Sequence, residues 1–208
     1  MPLILCPALA CALLCGQDPA NGWTDYRGPS LDGHAADGAA PPLVWSEEEN
    51  VQWKVAVPGR GWSSPIVTNG RIWLTTADPA GHERSVRCHD LESGDLLLQR
   101  VVLEVAKPED RNALNSYASP SATVGQGLVF FSFGSEGLVC LNEETAEEQW
   151  RRTDLACDHM EGPGSSPFYL DGRLMLHVDG GDVQYMVALD PLTGRLLGDP
   201  TNLEINEH

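Results

Sequence analysis

Short apolar runs separated by glycine-containing turns dominate the chain from about residue 60 onward. Each of three segments reads as a short strand, a tight turn with glycine, and an apolar strand rich in β-branched or aromatic residues. No stretch carries an apolar stripe at helical spacing for more than about two turns. The pattern predicts an all-β protein. The segments, with the residue five positions before each turn glycine, are SSPIVTNGRIWLTT with Pro65 and Gly70, PSATVGQGLVFFSF with Ala122 and Gly127, and SSPFYLDGRLMLHV with Pro167 and Gly172.

A second phrase follows each of these segments: CHDLESGD, CLNEETAE and ALDPLTGR. Each places an Asp or Asn, namely Asp90, Asn142 or Asp190, four residues before a Gly or Ala. The first two of these residues are 52 positions apart and the last two are 48 apart. A period near fifty residues is typical of propeller blades rather than of helical repeats. The phrase predicts a turn, because its side-chain oxygen accepts from backbone N–H groups ahead of it and glycine supplies a positive φ.

Another strand follows each turn, so each unit contains four strands, as a propeller blade does. We therefore predict a partial β-propeller of about three four-stranded antiparallel blades, at residues 62–105, 117–154 and 163–200. In the third unit the last strand, at RLLGD, is short and has Gly198 where the second unit has Trp150.

Residues 51–57 look like a fourth strand that has no blade of its own. In closed propellers the outermost strand of the last blade often comes from the N-terminal side and closes the ring, so we predict such a clasp strand here. The match is Gln52, Trp53 and Lys54 with Gln149, Trp150 and Arg151.

Closure of the ring sets a further expectation. Propellers close with about four to eight blades, and an arc of three would expose two apolar sheet faces to water. We therefore expect the chain to be the N-terminal part of a longer propeller. A self-complementing oligomer is the alternative.

The N-terminal region predicts export. Residues 1–17 begin with MPLILCPALACALLC, an apolar stretch too short to span a bilayer and typical of a secretory signal or a lipoprotein-like export segment. Residues 18–50 form a lead-in. The expected location is periplasmic or extracellular. A lipid anchor at Cys11 is an open alternative, and we expect membrane attachment only through such an anchor. The net charge of -17 argues against nucleic acid as a partner.

The cysteines outside the export segment are Cys88, Cys140 and Cys157, and none of them is adjacent to another or part of a CxxC pair. Cys88 and Cys140 occupy equivalent positions of the repeat, which favours two small buried side chains over a disulfide.

Polar side chains precede the first strand of each unit, where the loops would ring one mouth of the propeller. An aromatic ring beside hydroxyls and an arginine suits a polar organic ligand. The structural alternative is that the Ser-Pro pairs cap loose backbone groups between blades, and this alternative is favoured. The candidate binding residues are Arg60, Trp62, Ser63, Ser64, Asn115, Tyr117, Ser119, His159, Ser165 and Ser166.

Other candidate chemistry is weaker. Asp179 and Asp182 flank two glycines, which favours a hairpin turn over a calcium loop. His159 lies beside Asp158 and Glu161, where a solvated loop is favoured over a base or a metal ligand. No phosphate loop, nucleophile elbow or HExxH helix occurs, so no catalytic or metal-binding residue is predicted.

These phrases resemble the repeats of the pyrroloquinoline-quinone-like β-propeller family, which includes the quinoprotein alcohol dehydrogenases and an outer-membrane-assembly lipoprotein. The resemblance covers most of residues 23–197 and implies the propeller fold, while the repeat phrase is shared by enzymes and scaffolds alike. It is carried by ALDPLTGR at 188–195, GLVCLNEETAEEQW at 137–150, the Ser-Pro strand starts at 64–65 and 166–167, and a lead-in, WTDYRGPSLDGHA, that looks like exported members.

The chain also departs from that family. The dehydrogenases use a vicinal cysteine pair against the cofactor, and none occurs here. Ala146 replaces the turn glycine, and Leu98 and Gly198 stand where a tryptophan is usual. The first hypothesis is therefore an exported, non-catalytic binding or scaffold propeller that holds a small polar ligand or a protein partner. The alternative is part of a quinoprotein dehydrogenase that oxidises an alcohol or a sugar with pyrroloquinoline quinone and calcium.

Overall fold

The computed structural model describes residues 22–198 and the backbone of Thr201 and Asn202. The predicted export segment and its three cysteines lie outside the described residues. The described chain contains twelve strands and no helix, and the strands form three four-stranded antiparallel sheets. The predicted fold class is therefore confirmed.

Each sheet is a meander in which the strand order follows the chain. We call the sheets blades 1, 2 and 3. The last strand of blade 3 lies just beyond its predicted end at residue 200. Blade 1 contains β1 (Ile66–Thr68), β2 (Arg71–Ala77), β3 (Glu83–Asp90) and β4 (Leu96–Glu104); blade 2 contains β5 (Thr123–Gly125), β6 (Leu128–Ser132), β7 (Leu138–Asn142) and β8 (Glu148–Arg152); blade 3 contains β9 (Phe168–Leu170), β10 (Arg173–Asp179), β11 (Gln184–Leu189) and β12 (Thr201–Asn202).

The turn between the third and fourth strands forms as the repeated phrase predicts. The Asp90 carboxylate accepts from the backbone N–H groups of Glu92 and Ser93 at 3.0 and 2.8 Å. The side chains of Asn142 and Asp190 accept from the corresponding N–H groups of their own turns. These polar side chains therefore satisfy the donors of a tight bend and are not free for a ligand.

The alternation of side chains along blade 2 explains the packing. On β6, Val129 and Phe131 face blade 1, while Leu128 and Phe130 face blade 3. Successive residues of a strand point to opposite faces, so a strand with apolar residues at every position is buried on both sides. All five residues of β6 are buried. Blade 2 is therefore the central layer of a radial stack, as in a propeller.

Two buried cysteines belong to these interfaces. Cys88 and Cys140 have free thiols, with 1% and 0% of their surface exposed. Burial raises the pKa of Cys88 to about 11 and that of Cys140 to about 12. They act as small apolar side chains, which confirms that interpretation of the repeat.

A tryptophan latch connects blade 2 to blade 3. The indole N–H of Trp150, in β8, donates to the carbonyl of Pro191 at 2.9 Å. The ring covers Gly194, where a Cβ atom would lie 2.8 Å from a ring atom. The tryptophan of one blade thus closes over the glycine turn of the next, and only glycine leaves room for the ring.

The junction between blades 1 and 2 uses a smaller pair at the same positions. Leu98 takes the place of the tryptophan, and Ala146 takes the place of the glycine at a positive φ of 58°. The Cβ atom of Ala146 occupies the space that an indole ring would need, and the leucine leaves it free. The two departures from the family pattern therefore compensate each other.

Each junction also contains an arginine, which lies on the fourth strand two positions after the leucine or the tryptophan. Arg100 donates to the carbonyl of Ala146 at 2.6 Å, and Arg152 donates to that of Gly194 at 2.8 Å. Since a charged donor to a half-buried carbonyl is a strong hydrogen bond, each latch combines packing with polar specificity.

Residues 51–57 form no β-ladder within the described part of the chain, so the predicted clasp strand is not paired there. Trp53 nevertheless makes the latch contact. Its indole N–H donates to Leu91 at 2.9 Å, and its ring lies over Gly94, where a Cβ would be 2.6 Å away. A strand needs a neighbouring strand for its backbone bonds, whereas the latch needs only the turn of blade 1.

The lead-in crosses the inner edges of blades 1 and 2, which the sequence pattern did not indicate. Trp23 exchanges both backbone hydrogen bonds with Val67 at 2.8 and 2.7 Å, and Thr24 accepts from Val124 at 3.2 Å. The neighbouring Asp25 has 8% of its surface exposed and one carboxylate oxygen without a partner. Burial raises the pKa of its carboxyl group.

We predict that the Trp150–Gly194 pair can be replaced by a leucine–alanine pair at a smaller cost in stability than the two single replacements together. Trp150→Leu should lower the free energy of unfolding by about 2 kcal/mol, because packing is lost. Gly194→Ala should lower it by about 1–3 kcal/mol, because the added Cβ comes too close to the ring. The double variant recreates the Leu98–Ala146 pair, so it should lose about 1–2 kcal/mol less than the sum. Urea denaturation of all four proteins measures this coupling.

The matched control is Gly172→Ala, at a positive φ of 76° with nothing within 4 Å of the added Cβ. It reports the cost of the backbone conformation alone. Additive losses in the double variant would contradict the latch.

We also predict that Asp25 makes stability fall as the pH rises. A carboxyl group whose pKa is raised by folding stabilises the protein while it is protonated, and this contribution is lost as the pH rises through its folded pKa. Asp25→Asn should therefore gain stability relative to the original protein as the pH rises from about 3, below the ordinary pKa of an aspartate, to about 7. Denaturation at both pH values, with the exposed Asp37→Asn as a control, measures the difference; an unchanged difference would contradict the prediction.

Candidate functional site

The loops that enter the first strand of each blade lie at one end of the sheets, which we call the entry end. In a four-stranded meander this end also carries the loops between the second and third strands. Backbone hydrogen bonds connect neighbouring entry loops, such as Trp62 N–H to the carbonyl of Ala118 at 3.0 Å. The residues singled out from the sequence are therefore neighbours along one rim.

The serines before the first strands connect one blade to the next. The backbone N–H of Ser64 donates to the hydroxyl of Ser121 at 2.8 Å, and that of Ser121 donates to the hydroxyl of Ser166 at 2.9 Å. The hydroxyl of Ser63 accepts from Thr75 at 3.2 Å. These hydroxyls satisfy backbone donors at the joints, which favours the structural alternative for the Ser-Pro phrase.

Asn115 also connects neighbouring loops. Its amide donates to the carbonyls of Glu161 and Pro163 at 2.7 and 3.2 Å. Its side-chain oxygen accepts from the backbone of Ser116 and from the hydroxyl of Ser119. Asn115 and Ser119, both candidate binding residues, therefore stabilise the contact between the connection of blades 1 and 2 and the connection of blades 2 and 3.

Tyr117 lies between two arginines that the sequence did not single out. The guanidinium carbons of Arg84 and Arg111 are 4.5 and 4.7 Å from the centre of its ring. Arg84 is fully buried and lies 3.6 Å from a carboxylate oxygen of Glu136. No local pattern marks these residues, because Arg84 belongs to β3, Tyr117 to a connection and Glu136 to a hairpin loop of another blade.

His159 and Cys157 are close together in the connection between blades 2 and 3. The thiol sulfur lies 3.6 and 3.5 Å from the two ring nitrogens of His159. Burial raises the pKa of the Cys157 thiol, so the pair is not poised as a thiolate nucleophile. His159 and Ser165 line a small cavity with His177.

Asp182, one of the two aspartates in the hairpin phrase, bonds to backbone groups. Its carboxylate accepts from Asp158 N–H at 2.7 Å and from Val183 N–H at 2.9 Å, and these bonds lower its pKa. The described residues contain no group of three or more His, Cys, Asp or Glu side chains arranged to hold a metal ion.

Arg60 and Trp62 differ from the other candidates because their side chains project into solvent beside a cleft. Trp62 is 63% exposed. The cleft has a volume of about 290 Å³, and its walls contain hydroxyls and glycine backbone but no carboxylate. It is lined by Val57, Gly59, Arg60, Gly61, Trp62, Ser63, Leu74, Thr75 and Thr76.

The backbone beneath this pair is held rigidly. Arg60 and Ala77 exchange two backbone hydrogen bonds of 2.8 Å each. A Cβ atom at Gly61 would lie 2.3 Å from the carbonyl oxygen of Thr75, so the loop packs against β2 at a distance that only glycine allows. The glycines of GRGW therefore allow the loop backbone to lie close to β2. The side chains of Arg60 and Trp62 remain exposed.

The residues present do not fit the cofactor that the family resemblance implies. The cysteines of the described chain lie apart, two of them in different blade interfaces, and the described carboxylates form no cluster for calcium. Neither the vicinal cysteine pair nor the calcium ligands are supplied by residues 22–198.

Among the described residues, no helix is long and apolar enough to cross a membrane.

The architecture is now clear from its own geometry: three four-stranded meanders stacked face to face, with their first strands at the inner edge. The fold is that of β-propeller blades. The propeller fold that the resemblance implies is thereby confirmed.

No protein-family model matches the chain, and no curated protein matches it. Similar solved structures include a europium-containing methanol dehydrogenase, with 16% identity over 64% of this chain and 23% of that chain at a TM-score of 0.49. A quinohemoprotein alcohol dehydrogenase from Pseudomonas putida has 18% identity over 69% of this chain and 21% of its own, also at 0.49.

BamB from Moraxella catarrhalis is similar as well, with 13% identity over 74% of this chain and 44% of that chain at a TM-score of 0.49. The match to this chain thus spans less than half the length of each of these proteins.

We predict that the serine connection contributes to stability. Ser121→Ala removes the acceptor of the Ser64 N–H and should lower the free energy of unfolding by about 1 kcal/mol. Chemical denaturation measures this, with the neighbouring Ser165→Ala as the control because that residue lies outside the connected series. An equal effect of both variants would contradict a specific role for the connection.

Proposed function

We propose that this protein is an exported, non-catalytic propeller scaffold that binds a ligand in the cleft beside Arg60 and Trp62. One observation carries the proposal: a large aromatic ring and a guanidinium group stand exposed on a backbone segment fixed by four features. These are the two hydrogen bonds to Ala77, the bond to Ala118 and the close approach of Gly61 to Thr75.

Rigid presentation matters because binding costs less when the contacting groups are already ordered. A tryptophan offers a flat apolar face, and an arginine offers planar donors to carboxylates and other oxygen acceptors. The pair suits a polar molecule with a planar or ring face and an anionic group, either free or as part of a protein partner.

Local charge supports the same ligand class. The chain carries a net charge of -17, yet no carboxylate lines this cleft. Arg60 therefore offers a cationic spot on a generally acidic protein, and an anionic group would meet less repulsion here than elsewhere.

Export rests on the apolar residues 1–17, which lie outside the described part of the chain. We propose a periplasmic or extracellular location on that basis.

The binding proposal is tested by calorimetric titration with phthalate, a planar dicarboxylate, and galacturonate, a sugar acid. We expect at least one probe to bind saturably, and Trp62→Ala and Arg60→Ala each to weaken it about tenfold or more, which corresponds to about 1.4 kcal/mol. Both variants should keep the original melting temperature, because both side chains are exposed.

Trp45→Ala is the matched control, since Trp45 is 69% exposed but lies in the lead-in away from the cleft. Equal binding by all variants would contradict the proposal. Loss of stability in the Arg60 or Trp62 variant would assign these residues a structural role instead.

The dehydrogenase alternative has its own outcome in the same experiment. If pyrroloquinoline quinone with calcium raises the melting temperature and an added alcohol or sugar then reduces a dye, the protein is catalytic and the scaffold proposal is wrong.

A further inference from the structure

The turn between β1 and β2 lies at the end of the sheets opposite the entry end and contains the dipeptide Asn69–Gly70. Both residues have a positive φ, 47° for Asn69 and 71° for Gly70, as a two-residue hairpin turn of type I′ requires. The corresponding turns of blades 2 and 3 contain Gln126–Gly127 and Asp171–Gly172, also at positive φ. Among the described blades, asparagine thus precedes the turn glycine in blade 1 alone.

A buried glutamate of blade 2 binds the side chain of Asn69. The amide nitrogen Nδ2 of Asn69 donates to Oε1 of Glu143 at 2.7 Å, and the hydroxyl of Thr68 donates to the same oxygen at 2.6 Å. Glu143 has 7% of its surface exposed. Arg71 donates to the backbone carbonyl of Glu144 at 2.9 Å and also to that of Glu143. At this end of blades 1 and 2, the junction therefore requires a donor at position 69, because Glu143 presents an acceptor.

An asparagine that precedes glycine can lose its amide without an enzyme, and asparagine is one of the thermolabile residue types. The backbone nitrogen of Gly70 gives up its proton to a base in water and attacks the side-chain carbonyl carbon of Asn69. The bond from that carbon to Nδ2 breaks, Nδ2 takes a proton from water and leaves as ammonia, and a cyclic succinimide forms. Water then adds to one of the two succinimide carbonyls, and the ring opens to aspartate or isoaspartate. The reaction consumes water and needs no oxidant or reductant.

The turn is accessible to this reaction. A Cβ atom added at Gly70 would have no other atom within 4 Å, so the residue that supplies the attacking nitrogen is not covered. The N–H of Gly70 has no acceptor among the described residues. Asn69 and Glu143 line a cleft of about 500 Å³, which gives water access to the amide. The hydrogen bond to Glu143 restrains the side chain, because it fixes Nδ2 on the side of blade 2.

We propose that Asn69 is a site of spontaneous deamidation, and that the reaction opens the junction between blades 1 and 2 irreversibly. While Glu143 holds the amide, the side chain of Asn69 does not turn freely toward the nitrogen of Gly70, so the closed junction slows the reaction. Once the amide has become a carboxylate, an acceptor faces the buried carboxylate of Glu143. Two like charges at a site shielded from water repel each other, and neither has the donor that it needs.

Isoaspartate adds a second effect. It inserts a carbon atom into the main chain of the turn, and the turn geometry sets the register of a hairpin. The pairing of β1 with β2 therefore changes at the same end of blade 1.

Peptide mapping by mass spectrometry, after incubation of the folded full chain at mildly alkaline pH, tests the reaction. We expect conversion at Asn69 and none at Gln126 over the same time, because glutamine must close a larger ring. Conversion at Asn69 should be slower than in the urea-unfolded chain. Glu143→Ala frees the amide and should raise the rate in the folded protein about threefold or more.

Glu144→Ala is the matched control, because this neighbouring residue is exposed and its contact with Arg71 uses the backbone carbonyl. It should leave the rate unchanged. Circular dichroism confirms that both variants are folded at the incubation temperature.

The consequence for the junction is tested with Asn69→Asp, which imitates one product. It should lower the melting temperature by about 2–4 °C. Glu143→Gln removes one charge and supplies an amide that can donate to the new carboxylate, so the double variant should lose less than the sum of the two single variants. Asp171→Asn, at the equivalent turn of blade 3, measures how the acid and the amide differ in the turn itself.

Two results on the reaction would overturn the proposal: no conversion of Asn69 in the folded chain long after the unfolded chain is converted, or equal rates for Glu143→Ala and Glu144→Ala. Two results on stability would do the same. These are an Asn69→Asp variant as stable as the original protein, or additive losses in the double variant.

Discussion

A sheet whose two faces are both apolar must be covered on both faces, and this constraint organises the protein. In blade 2 all five residues of β6 are buried, two of them against blade 1 and two against blade 3. Burial of apolar area is the main favourable term in folding, and it is obtained here only between blades, since a single four-stranded sheet has no interior. The stability of each blade therefore depends on its neighbours, as in other repeat architectures.

The junctions show how this dependence is made specific. A ring from one blade closes over the turn of the next, so the size of one side chain limits its partner, as Trp150 with Gly194 and Leu98 with Ala146 show. The arginines that follow on the fourth strands bond to the same turns. Leu98 and Ala146 each depart from the repeat pattern, but together they form a matched pair at one junction.

The polar residues at the entry end fall into two groups, those that bond to the backbone and those that are exposed to solvent. The serines and Asn115 are occupied by backbone groups, because connections between blades leave donors and acceptors that need partners. Arg60 and Trp62 are not occupied in this way. Their loop is fixed by its glycines and backbone, so the large side chains are left to the solvent and to a ligand.

The sequence by itself determined the repeat, the strand and turn pattern and the class of fold, because each depends on local alternation, on glycine at positive φ and on side chains that cap their own turns. Tertiary structure alone decided the rest. The path of Trp23 and Thr24 along the inner strands and the burial of Arg84 against Tyr117 and Glu136 depend on contacts between segments far apart in the chain. So does the lack of a strand partner for residues 51–57 within the described part of the chain. Period and propensity carry no information about such contacts, because the partner's position is set by how the blades stack.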